Sequence, residues 1–164
     1  MKIYRLKSKQ IINENIDQVF DFFSKPENLP VITPGKMKFK IITPKPIEMK
    51  EGALIDYTLK IMGIPLRWTT LIVKYDPVKI FVDQQLKGPY SMWHHTHNFK
   101  AINDKETLIE DIVAYGIPFG FLGRIVHSLW IKRDLENIFK YRSEKINEIF
   151  DSHLKSDIII DFIS

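Results

Sequence analysis

The segment Trp93-His94-His95-Thr96-His97-Asn98-Phe99 carries two histidines two residues apart, flanked by two aromatics at the same spacing. In an extended chain residues i and i+2 share a face, so Trp93, His95, His97 and Phe99 look the same way, and the aromatics mark that way as inward. Inward imidazoles can hold a metal ion together with a carboxylate from a neighbouring strand, move protons, or satisfy buried acids. The acids in position are Asp83, on the face of Phe81 and Gln85, and Asp111, on the face of Val113 and Tyr115. Either would raise the pKa of a histidine that it pairs with. An acid, a histidine and the phenol of Tyr57 or Tyr115 around an apolar space suit proton-transfer chemistry.

Nothing else in the chain adds to that chemistry. There is no cysteine, which removes disulfides, thiolate nucleophiles, Cys-based zinc sites and iron–sulfur ligation. There is no G-x-G-x-x-G, P-loop or H-E-x-x-H motif. A network of His95 and His97 with buried acids is therefore preferred to a metal centre, and no cofactor and no metal are expected. His95, His97 and Asp111 are the catalytic candidates if the chain is an enzyme.

These residues need a sheet to bring them together. Residues 2–12 alternate (Tyr4, Leu6, Ser8, Gln10, Ile12) and predict a strand. Asn15 caps a helix with Gln18 three residues on, and Ile16, Val19, Phe20 and Phe23 fall at helical spacing before Lys25-Pro26 ends it. A short turn follows over Pro26 to Leu29. Lys36, Lys38 and Lys40 alternate with Met37, Phe39 and Ile41, as in a charged edge strand. Further strands are predicted over Ile55 to Ile61, Leu66 to Tyr75, Lys79 to Leu86, Ser91 to Ile102 and Thr107 to Tyr115, joined at Gly63 with Pro65, Asp76-Pro77, Gly88-Pro89 and Asn103-Asp104. From Phe119 to Phe150 there is no proline, and Ile125, Leu129, Leu135, Phe139, Ile146 and Ile149 mark one apolar face of a helix about 45 Å long. One such helix cannot cover a six- or seven-stranded sheet, so the sheet must curl around it and leave a cavity.

At 164 residues, with 45% apolar and 12% aromatic content, the chain is expected to form a single domain over residues 1–150 with a tail over 151–164. The tail, with Ile158-Ile159-Ile160 and Phe162-Ile163, suits an extra short element or self-association. The net charge of +4 is spread along the chain, which argues against nucleic acid. With no signal-like or membrane-spanning apolar run, the expected location is cytoplasmic.

The order β-αα-β6-α, the segment Phe81-Val82-Asp83-Gln84-Gln85 followed by Gly88-Pro89-Tyr90, the Trp93 to Phe99 segment and the Tyr115-Gly116-Ile117-Pro118-Phe119-Gly120 entry to the last helix resemble the SRPBCC superfamily. It includes START domains, birch-pollen-allergen-like proteins, polyketide cyclases and coenzyme-Q-binding proteins. The resemblance covers roughly Lys2 to Phe150 and is closest to small standalone bacterial members. It implies an α+β helix-grip fold, a curved antiparallel sheet around a long C-terminal helix with two short helices after strand 1, and a cavity for a hydrophobic ligand. It implies no single activity, because carriers, sensors and enzymes share the scaffold.

The expected function is binding of an apolar or amphipathic small molecule: a lipid, a quinone or an aromatic polyketide. The expected ligand-binding residues are Tyr57, Leu59, Ile61, Trp68, Asp83, Trp93, His95, His97, Phe99, Asp111, Tyr115, Phe119 and Leu122. Trp68, Trp93 and Phe99 would be walls, His95, His97 and Asp111 the polar anchor, and Gly88-Pro89-Tyr90 a hairpin turn or a lip. Phe119, Phe121 and Leu122 read as a gate, as a resting point on a membrane with Arg124 and Lys132, or as a staple for the helix start, with Gly116, Gly120 and Gly123 giving the entrance freedom to move. A cyclase or dehydratase and a membrane- or protein-interaction module with an inert cavity are the rival readings.

Overall fold

Period-two alternation recurs in segment after segment, and the computed structural model, which describes residues 2–152, turns it into one seven-stranded antiparallel sheet. The strands are β1 (Ile3–Ile12), β2 (Lys40–Ile41), β3 (Leu54–Ile61), β4 (Ile64–Asp76), β5 (Ile80–Lys87), β6 (Met92–Asn103) and β7 (Glu106–Gly116). Their order is β1-β7-β6-β5-β4-β3-β2, so six consecutive strands meander and the first closes against the last. Met62 and Gly63 both have positive φ, the two-residue turn whose twist suits a hairpin. Two register shifts between β4 and β5, at Thr69/Thr70 and Ile72/Lys74, bend the sheet where it must curve.

Helix α1 (Ile16–Phe23) begins as the sequence predicts, with Asn15 Oδ1 accepting the Gln18 N–H at 3.0 Å. The short turn read over Pro26 to Leu29 is a single 3₁₀ turn, Pro26–Asn28, and a second 3₁₀ turn follows at Gly35–Met37. The second of these also displaces most of the strand expected over Lys36 to Ile41. Met37 N–H bonds back to Pro34 O and Lys38 adopts a left-handed φ of 47°, leaving only Lys40–Ile41 extended. Met37 and Phe39 still turn inward, so the alternation marked the right side chains without making a strand.

The last helix runs from α2 (Gly120–Val126) through a π turn at His127–Ile131 into α3 (Lys132–Ile149). Its apolar residues do not form one buried stripe. Leu135, Phe139 and Ile146 are buried against the sheet, while Ile125, Leu129 and Ile149 are exposed. A π turn closes i→i+5, here Lys132 N–H to His127 O, so each of its residues advances less than in an α-helix and Ile125 and Leu129, which precede or fall within it, go out of phase with Leu135, Phe139 and Ile146; Ile149 is exposed at the end of α3. Of the three glycines at this entry, Gly120 adopts a left-handed φ of 52° in open space, while the other two are held. Gly116 is paired with Ile3 and Met92, and a Cβ on Gly123 would collide with the Pro118 carbonyl.

Three aromatic-rich clusters fill the concave side. Phe20 and Phe23 of α1 meet Phe81, Phe99 and Ile146 at one end. Tyr4, Leu6, Val113 and Tyr115 meet Leu135 and Phe139 in the middle, and Met37, Leu59 and Trp68 close the far side. Gln10 Nε2 ties β1 to α3 through Ser143 O at 3.0 Å and Asn147 Oδ1 at 2.8 Å. No helix among the described residues is long and apolar enough to cross a membrane. Residues 153–164, most of the predicted tail, lie outside the described residues.

Candidate functional site

Between α3 and the β3–β6 part of the sheet lies a cavity of about 190 Å³. For comparison, a dry apolar cavity of about 150 Å³ takes a benzene ring. Alternate residues of three strands make its walls: Tyr57, Leu59 and Ile61 from β3, Trp68 and Thr70 from β4, and Trp93 from β6. The helix side is Leu135, Ile138 and Phe139, and Met37 and Phe39 come from the turn before β2. Aromatic edges and faces interlock here, with Trp68 T-shaped on Trp93 at 5.4 Å and Tyr57 stacked on Trp68 at 6.0 Å. Tyr90 completes the wall. The Gln85 side chain holds its backbone, with Nε2 donating to Tyr90 O at 2.7 Å and Oε1 accepting from Tyr90 N at 3.3 Å.

The polar end of the cavity is a square of two imidazoles and two carboxylates, which antiparallel pairing assembles directly. Asp83 stands opposite His95 in the β5/β6 register, and His97 stands opposite Asp111 in the β6/β7 register. His97 reaches both acids, with Nε2 2.8 Å from Asp83 Oδ2 and Nδ1 2.8 Å from Asp111 Oδ1. His95 Nε2 is 3.1 Å from the same Asp111 oxygen, while its Nδ1 is 3.7 Å from Asp83 Oδ2, too long for a hydrogen bond. Arg142 of α3 brings Nη2 to 3.6 Å from Asp111 Oδ1. The guanidinium also lies 5.2 Å from the centre of the Phe23 ring.

These neighbours divide the protons. Burial disfavours the charge on Asp111, but the Arg142 charge and the bonds from His95 and His97 outweigh it and hold the carboxyl well below its usual range. Asp83 is also lowered, its burial overcome by the bond from His97 and the charges around it. Burial pushes both histidines down. In His97 the bonds to Asp111 and Asp83 reverse this and raise it, while in His95 the repulsion of His97 adds to burial and the pKa stays low. One imidazolium and one guanidinium then balance two carboxylates, which is how buried charge is tolerated.

Of the thirteen residues expected to touch a ligand, eight line this cavity: Tyr57, Leu59, Ile61, Trp68, Asp83, Trp93, His95 and His97. The other five do not. Phe99 faces inward but lies under α1, in edge contact with Phe20 at 5.1 Å and Phe23 at 5.7 Å. Asp111 sits behind the histidines rather than at the surface of the space. Tyr115 is fully buried under Tyr4 and His127, with its hydroxyl 2.8 Å from His127 Nε2. Phe119 and Leu122 stand on the outside, 83% and 67% exposed, away from the residues that line this cavity. Arg142 was missed, although a signal for it exists: it falls on the stripe of Leu135, Phe139 and Ile146, where a cation needs a buried acid to answer it.

No family model and no curated protein matches the sequence. Among solved structures, a START superfamily protein from Mycobacterium smegmatis superposes with a TM-score of 0.68 at 11% identity, covering 89% of this chain and 99% of the other. The Zhui aromatase/cyclase from Streptomyces sp. R1128 gives 0.66 at 10% identity, covering 90% and 96%. Norcoclaurine synthase from Thalictrum flavum, in complex with dopamine and hydroxybenzaldehyde, gives 0.65 at 16% identity, covering 94% and 90%. At these identities the likeness is one of fold: the chain has the helix-grip architecture of these proteins, as the resemblance to SRPBCC implied.

Proposed function

We propose that this helix-grip chain binds a small aromatic molecule of one or two rings that carries a polar oxygen, with the rings between Trp68, Trp93 and Tyr57 and the oxygen toward Asp83, His95 and His97. The observation that carries this reading is a cavity of about 190 Å³ whose walls are largely aromatic and which the Asp83, His95 and His97 group also lines. Its size favours compact rings over the long chain of a lipid or a tailed quinone. Two structures of the same fold add support: one is an aromatase/cyclase, and the other was solved with two single-ring phenolic compounds.

Titration of the protein with 2-naphthol, menadione and dodecanoate, read by tryptophan fluorescence, tests this. The aromatic probes should bind with Kd of about 1–100 µM, the range open to a ligand of that size. Ile138→Trp, which fills the cavity from α3, should weaken them at least about tenfold without loss of folding. Silence from all three probes, or unchanged affinity in Ile138→Trp, would sink the proposal.

A second surface favours contact with a membrane. Phe119, Phe121, Leu122, Leu129 and Trp130 are all more than half exposed on the outer side of α2 and the π turn, beside Arg124, whose guanidinium lies 5.5 Å from the Phe121 ring centre. Apolar residues flanked by cations suit an anionic lipid surface. Co-sedimentation with phosphatidylserine-containing vesicles should fall at least about tenfold in Phe121→Ser/Leu122→Ser. Wild-type protein that stays in the supernatant would remove this surface from consideration.

A further inference from the structure

We infer that Asp83, His95 and His97 form a binding site for one divalent first-row transition ion, of the Zn²⁺ or Fe²⁺ kind, at the polar end of the cavity. One ligand atom from each of Asp83, His95 and His97 lies within 4.8 Å of the other two, and the nitrogens turned toward Asp83 Oδ2 are His95 Nδ1 and His97 Nε2. Bonds of about 2.0–2.2 Å place the ligands of a tetrahedral ion about 3.3 Å apart. His95 Nδ1 is already 3.7 Å from Asp83 Oδ2, and His97 Nε2, at 2.8 Å, needs to open by roughly half an ångström.

The surroundings are those that such a site requires. The two nitrogens facing away from the ion, His95 Nε2 and His97 Nδ1, both point at one oxygen, Asp111 Oδ1, at 3.1 and 2.8 Å. A carboxylate behind each ligating imidazole fixes its tautomer, with N–H outward and lone pair inward, and raises its basicity. Arg142 holds that carboxylate in turn. An ion there would displace the proton that His97 carries, and with both imidazoles neutral the two buried carboxylates and the Arg142 guanidinium present one net negative charge to it. Two histidines and one carboxylate are the donor set of open transition-metal sites. The remaining side faces the cavity, which leaves a position for water or for an oxygen of a bound molecule.

The test uses the full chain stripped with a chelator and titrated with Co²⁺ and Zn²⁺ alone. One ion per chain is expected, with visible cobalt absorption of low-coordinate type. His95→Ala and His97→Ala should each abolish the band, Asp111→Asn should weaken zinc about 10- to 100-fold, and the outward-facing His94→Ala should change nothing. Absence of the cobalt band in the wild-type protein overturns the site, whatever the folding of the variants. So does a His95→Ala protein that keeps wild-type zinc affinity. Aromatic-ligand binding is read separately on metal-free protein, so the two proposals fail independently.

Discussion

Phe99→Ala should lower the unfolding free energy by about 3–5 kcal/mol, the range for truncating a fully buried aromatic, and change 2-naphthol affinity by less than about threefold. The ring sits under α1 among Phe20, Phe23 and Phe81, 6% exposed, on the inward face of β6 but beyond the end of the cavity. Trp93→Ala should do the opposite to binding and weaken it at least about tenfold, because Trp93 is wall. Urea unfolding and fluorescence titration of the two variants decide the matter. A Phe99→Ala protein that stays stable but stops binding would put Phe99 in the wall after all.

Asp111→Asn should cost about 3–5 kcal/mol, as expected when one partner of a buried ion pair is removed and the other charges remain. One oxygen of Asp111 answers His95, His97 and Arg142 together, and a neutral amide cannot accept from all of them. Against a total stability of about 5–15 kcal/mol, this is a large share. Removing the stranded cation as well, in Asp111→Asn/Arg142→Met, should recover part of the loss, with a coupling of about 0.5–3 kcal/mol in the double-mutant cycle. Additive losses, measured by denaturant unfolding at neutral pH, would mean that Arg142 does not depend on Asp111.

The errors in reading the site from the sequence share one cause: alternation tells which face of a strand a residue is on, and nothing about what covers that face. Phe99, Asp111 and Tyr115 do point inward as their spacing predicted, yet α1, the histidines and the Tyr4–His127 stack cover them before any ligand could. Asp83, His95 and His97 were legible because facing positions on neighbouring strands need only register, and short turns fix register. The apolar face of the long helix was misread for another reason. The reading takes a uniform period of 3.6 across His127–Ile131, and the π turn breaks it, so Ile125 and Leu129 lie outside the buried stripe of Leu135, Phe139 and Ile146. Arg142 was legible in principle, as the one cation on that stripe. The strand predicted over Lys36 to Ile41 failed because Pro34-Gly35 favours a turn more strongly than alternation favours extension.

Among the described residues, the closing of β1 onto β7 leaves β1 with ten residues along one unpaired margin of the sheet, the length at which a sheet invites a second copy to extend it. Arg5, Lys7 and Lys9 follow one another along one face of that strand, and within the chain Lys7 and Lys9 share a single acid, Glu110 of β7, at 2.9 and 3.2 Å. An antiparallel β1 from another molecule would bring the same three cations against these. The margin thus repels its own likeness, which protects a long open strand from growing into a stack and directs any self-association to other surfaces.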